Sequence, residues 1–265
     1  MIKIISAFIR REILIEKIYK FHLVMRIADG AVRIAIFYFI GKYLMSPDYF
    51  GYVFVGILFG RVIYFFVSAP VDFIKHEQHW GTIEPLVASP SDFTEIMFSS
   101  VVGKTAVLFL FEFAVYLAVG AAISGFSSAD KIAHIALSAV GFAPYLVVTA
   151  VIFCSLGVFA AALSLKLKRI EQALWFMVSA LEIMSGVYFP TEKLPGIFYI
   201  RETAAILPTT GILETWRSLI LYGRGFDFLR WSGYALLSAV CLWVSVIVFK
   251  RFFAASLKKG DILTY

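Results

Sequence analysis

Long apolar runs recur from one end of this chain to the other, and the stretches between them are too short to fold alone. A bilayer's hydrocarbon core is about 30 Å thick and takes roughly 20 apolar residues of helix per crossing. Runs of about that length lie at residues 24–45, 50–73, 93–124, 132–164, 171–189 and 229–251. Of the 265 residues 61% are hydrophobic and 16% charged, whereas soluble domains run at roughly 45–50% and 25%. A soluble core has no place for that excess; lipid does. The expectation is an all-α integral membrane protein, one transmembrane domain over residues 1–265 with six transmembrane helices. The third and fourth runs have length to spare for tilting or projecting.

Ahead of the first run, Lys3, Ser6, Arg10, Lys17 and Lys20 recur at helical spacing, while Ile5, Phe8, Ile9, Ile13 and Ile15 lie largely on other faces. That pattern predicts an amphipathic interfacial helix over 1–21, polar face to the cytosol. Its mix of charge and isoleucine does not read as a secretory signal. With this end inside, thirteen basic residues fall on the cytosolic side and seven on the other, so the positive-inside rule puts both termini in the cytoplasm. The net charge of +6 has the same origin and does not call for nucleic acid.

Two connections are unusual. Residues 76–91 contain a short helical piece closed by Ser89-Pro90, with Ser91 or Asp92 placed to cap the next helix. Residues 190–228 are apolar yet broken by Pro195 and Pro208 into pieces too short to span. Such segments are tolerated where protein or a water-filled cavity covers their backbone.

Catalytic motifs fail on spacing. Gly103-Lys104-Thr105 lacks the earlier glycine of a phosphate-binding loop, because Phe98 stands there. His76, Glu77 and His79 miss the zinc-protease spacing, since Trp80 takes the second histidine's position. Cys154 and Cys241 offer no paired ligand spacing, and an enzyme is not supported. Charges do occur inside the apolar runs. Arg26, Asp29 and Arg33 share a helical face, with Arg61, Lys104, Glu112 and Glu182 in later runs. Each is costly against lipid and is expected to face protein or water, either paired internally or along a transport route. Gly56 and Gly60 have the spacing that lets helices approach closely.

The string HEQHWGTIEPLVASPSDF, from His76 to Phe93, resembles the cytosolic coupling segment of type-2 ATP-binding-cassette exporter permeases, with Glu77, Gly81, Thr82, Ile83, Glu84, Leu86, Ser89 and Pro90 at the matching positions. SGVYFPTEKLP (185–195) and LPTTGILETWRSLILYG (207–223) are similar to that family's fifth-span end and external re-entrant helices. The likeness runs the length of the chain. It implies a permease that binds no cofactor itself, with ATP and magnesium held by partner ATPase subunits. It also implies a second permease chain, identical or not, and a multi-pass place in the plasma membrane. Glu77 and Glu84 would meet the ATPase, with Lys168, Arg169 and Glu171 as a second cytosolic contact. Pro190, Pro195, Pro208, Glu214 and Arg217 would shape an external gate. A small amphipathic or hydrophobic cargo fits better than a lipid-linked glycan, whose exporters usually lack the Gly-Thr-Ile-Glu string. Two rivals stand beside this reading: an ion-coupled secondary transporter using Asp29, Glu112 or Glu182, and a membrane scaffold without transport.

Overall fold

The computed structural model of the chain describes residues 2–44, 49–123, 129–167, 170–193 and 199–260, and these are helical with no strand among them. The order is α1 (Ile2–Ile18), α2 (Lys20–Leu44), α3 (Tyr49–His79), α4 (Ile83–Val87) and α5 (Phe93–Lys104). A π-helical turn (Thr105–Phe109) leads into α6 (Leu110–Ile123). Then come α7 (Ala129–Leu167), α8 (Glu171–Met184), α9 (Ile200–Ile206), α10 (Pro208–Ile220) and α11 (Phe228–Lys259).

Four described segments are long and apolar enough to cross a membrane: Tyr49–His79, Phe93–Val119, Phe142–Leu167 and Phe228–Lys259. The other two expected spans fall short of that standard. α2 has 25 residues but carries Arg26, Asp29 and Arg33 along its length. α8 has only 14 residues, which at 1.5 Å per residue reach about 21 Å. It ends early because the chain turns at Gly186, whose φ of 77° lies in the left-handed region. The expected run to residue 189 is therefore helical only to Met184.

α7 lies at the centre, packed on α3 and α11. Gly157 sets the close approach to α3: a Cβ there would stand 2.6 Å from the Phe66 carbonyl oxygen and 2.7 Å from that of Val67. Pro70, lacking an N–H, leaves the Phe66 carbonyl without its helical donor, and the bare glycine backbone fits against it. Around this contact Trp216, Phe59 and Phe153 are fully buried. Trp216 stands edge-on to Phe59 at 5.2 Å and to Phe142 at 4.4 Å, an arrangement that ring quadrupoles favour.

The N-terminal helix forms as expected, and its Phe8 side packs on the bundle. Phe8 is buried, and a Cβ on Gly103 of α5 would lie 2.8 Å from Phe8 Cβ. Glu12 is buried beside it. α1 is thus packed on the bundle through the face that carries most of its isoleucines.

Candidate functional site

The turn between α3 and α5 is the best-built polar feature of the molecule. α3 closes with two bonds that satisfy its last carbonyls: Gly81 N–H donates to Gln78 O (3.2 Å) and Thr82 N–H to Glu77 O (2.9 Å). This is a Schellman closure, and it needs a left-handed residue at the position of Gly81, whose φ is 68°. α4 follows at once. Its Ile83 is fully buried and anchors the turn to the core, while Leu86 is half-buried against it. Ser89 Oγ donates to Leu86 O (2.7 Å), closing α4 before the exposed Pro90.

Asp92 caps α5 by accepting from Thr94 N–H (2.9 Å). It also accepts from Lys250 Nζ of α11 at 2.8 Å. The Lys250 ammonium, helped by the Thr94 amide, holds the Asp92 carboxyl below its ordinary range.

Glu77 is where the structure corrects the sequence reading. It is 4% exposed and takes Arg11 Nη1 of α1 at 2.8 Å. Its second oxygen accepts from Thr82 Oγ1. Glu77 is therefore a tie between α1, α3 and the turn, and it is not on the surface where a partner would dock. Ile83 is likewise turned inward. What remains outside is Trp80, 65% exposed, with Thr82, Glu84, Pro85, Ala88 and Pro90. Lys168 and Arg169 lie outside the described residues, and Glu171 opens α8.

A second polar assembly sits inside the bundle. Glu112 of α6 accepts from Arg26 Nε of α2 (3.0 Å) and from Arg61 of α3. Arg26 also pairs with Glu16 of α1 (3.3 Å). Arg61 lies over the rings of Tyr64 and Tyr116, at 5.4 and 5.5 Å. The expected burial of charge thus holds for Glu112 and in good part for Arg26. It does not hold for Asp29, whose side chain is 56% exposed and pairs loosely with Arg33, itself 43% exposed, at 3.8 Å. One helical face still has two environments, because α6 covers only part of α2. Glu182 accepts from Tyr188 O–H (2.7 Å). It lines, with Arg33, Arg61, Tyr64, Trp175 and Tyr188, a cavity of about 220 Å³ between α2, α3 and α8. Gly60 admits this carboxylate, since a Cβ there would stand 2.9 Å from Glu182 Oε1.

The 190–228 segment breaks at Pro208, which opens α10 after an extended Leu207. Pro195 lies outside the described residues. α9 has 7 residues and α10 has 13, both too short to span. Arg217 is 6% exposed and donates to Gly186 O (2.7 Å), Val187 O (3.2 Å) and Tyr52 O (3.3 Å). Its guanidinium also lies 3.4 Å from the Tyr52 ring centre. Arg217 thus clamps α10 to α3 and the turn after α8. Glu214, expected as its companion, is exposed and makes no ion pair with it among the described residues. Pro190 and Glu214 line a cavity of about 290 Å³ beside Tyr52, Glu192, Arg217 and Tyr222.

Sequence reasoning missed Arg11, Glu16 and Lys250 as partners. Arg11 and Lys250 meet partners 66 and 158 residues away, and Glu16 meets Arg26 across the break between α1 and α2, so no spacing within one helix announces them. Trp80 had a signal, a large aromatic beside a left-handed glycine at a helix end. No protein-family model matches the chain, and a search of curated proteins gives no match.

Proposed function

We propose that the chain is the membrane-spanning subunit of an ATP-driven exporter of the ATP-binding-cassette type, forming half of a substrate pathway. The observation that carries this reading is the α3–α5 turn. It is capped at both ends, anchored by Ile83 and tied through Glu77 to α1 and through Asp92 to α11. Yet it presents Trp80, Glu84 and Pro85 outward. A turn so tethered moves its helices when pushed, and a permease driven by a separate ATPase needs such a handle to receive work. In this reading α2, and α8 continued by the non-helical residues 185–189, complete a set of six spans, both termini are cytoplasmic, and the membrane is the plasma membrane.

ATP and magnesium act in separate ATPase subunits, one under each of two permease chains. The 220 Å³ cavity beside Glu182 and Trp175 supports a path along α2, α3 and α8, and its mixed aromatic and charged wall suits a small amphipathic cargo. The hairpin clamped by Arg217 forms the outer gate.

The test is co-purification of the full chain with ATPase subunits from its own cells, for wild type, Glu84→Lys and Trp80→Ala. Capture by wild type and loss in both variants, with unchanged thermal stability, is the expected result. If no ATPase is captured and efflux persists but collapses with a proton uncoupler, the exporter reading fails.

A further inference from the structure

α1 sorts its charges by face. Both of its carboxylates point into the protein: Glu12 is buried against Arg11, which reaches on to Glu77, and Glu16 pairs with Arg26 of α2. The outward side has no acid. It carries Lys3, Arg10 and Lys17, seven residues apart and so stacked in one stripe, with Lys20 just beyond the helix. All four are exposed, and none makes an ion pair within the described residues. Exposed apolar side chains border the stripe on both sides, Ile2 and Ile13 along one edge and Leu14 and Ile18 along the other. A purely solvated face has no use for isoleucines 85% and 72% exposed at positions 2 and 18, and a protein-packed face has no use for unpaired lysines.

We infer that the outward face of α1 is a binding surface for anionic phospholipid headgroups, the Lys3–Arg10–Lys17 stripe taking the phosphates and the flanking aliphatics entering the acyl boundary. Cationic side chains beside apolar ones are the arrangement that holds a helix at a negatively charged leaflet. Because the apolar side of α1 is already taken by α5, the anchoring comes chiefly from the stripe, so the surface discriminates lipid charge and not merely lipid. The inference does not depend on the exporter reading; it requires only that the chain sits in a membrane.

Each basic residue near an anionic surface is worth about a fivefold gain in binding, so three give roughly a hundredfold at low salt. The experiment uses the full chain in neutral detergent. Phosphatidylglycerol or phosphatidylcholine is added and retained lipids are counted by native mass spectrometry, for wild type and for Lys3→Gln/Arg10→Gln/Lys17→Gln. Wild type is expected to retain phosphatidylglycerol at least tenfold better, with the preference falling in the triple variant and in 0.5 M salt. Equal retention of the two lipids by wild type, or an undiminished preference in the triple variant, overturns the inference. Competition by inorganic phosphate at matched concentration also overturns it, by marking a free-anion site. Should the triple variant not fold, Arg10→Gln with the wild-type salt titration reads the same quantity.

Discussion

Glu77 and Arg11 are predicted to be strongly coupled. They are 66 residues apart in sequence and joined by a 2.8 Å charge-assisted bond. Removing one member of a fully buried pair costs about 3–5 kcal/mol, but Arg11 keeps 31% of its side chain exposed against 5% for Glu77. Water therefore reaches one partner and not the other. The expected coupling drops to the range of a hydrogen bond to a charged group, about 1.5–3 kcal/mol. The assay is a double-mutant cycle with Arg11→Met and Glu77→Gln, unfolding the full chain reversibly in mixed micelles. Glu77→Gln alone also weakens the bond from Thr82 Oγ1, so amide exchange over residues 80–90 should quicken while the middle of α7 is unchanged. A coupling below about 0.5 kcal/mol, at the limit of additivity for independent sites, would refute the view that this carboxylate ties α1 to the turn.

Gly157→Ala should destabilise the bundle by about 1–3 kcal/mol through backbone overlap at α3, whereas Gly233→Ala in α11, with open space around it, should be neutral or mildly stabilising. The same unfolding assay reads both. Arg217→Leu removes its bonds to the carbonyls of Gly186, Val187 and Tyr52, of which Gly186 O keeps the Tyr52 O–H donor; about 2 kcal/mol is expected, with Arg217→Lys recovering only part because one ammonium cannot reproduce the planar fork. Asp92 has a depressed folded-state pKa, so its contribution is complete above the ordinary aspartate value of about 3.9 and is lost as pH falls through the lower folded value. Asp92→Ala should cost about 1 kcal/mol for the cap and a few tenths for the half-exposed pair with Lys250. That difference should be present at pH 7 and shrink on acidification in a pH-resolved melt.

What the sequence made legible is local. Apolar runs predict helices because a helix satisfies its own backbone in lipid, and α3, α7 and α11 follow from that. Asp92 before an apolar run is a cap by short-range chemistry. Gly56 and Gly60 were readable as a close-approach face, and they serve one: Gly56 meets the Val187 backbone and Gly60 the Glu182 carboxylate. The end of α8 was not readable, because the apolar run continues through Val187 and Tyr188 while the backbone turns at Gly186 to meet Arg217. The inward turn of Glu77 was hidden for a similar reason. It stands among His76, Gln78 and His79 in a polar string, and it is Arg11 arriving from α1, with Thr82 of the turn, that gives that carboxylate a reason to be buried.

The interior charges bear on the choice between ATP-driven and ion-driven transport. A proton carrier needs a carboxylate that changes partners during the cycle. Glu112 is held by two guanidinium groups from two other helices, Arg26 and Arg61, and Arg26 is held in turn by Glu16 of α1. Freeing Glu112 would leave Arg26 with Glu16 alone and Arg61 with no described acid bonded to it in a low-dielectric interior, a cost of several kcal/mol. That is the chemistry of a fastening between α2, α3 and α6. Glu182 is freer, bonded to Tyr188 O–H and facing a cavity, and Asp29 is only loosely paired with Arg33 at 3.8 Å, so the ion-coupled alternative narrows to these two, of which Glu182 alone lines that cavity. Glu182→Gln keeps the size and the bond to Tyr188 while removing the ionisable group. If transport in that variant keeps its rate and its insensitivity to a proton uncoupler, the carboxylate shapes the path; if transport stops with folding intact and the wild type is uncoupler-sensitive, ion coupling displaces the exporter reading.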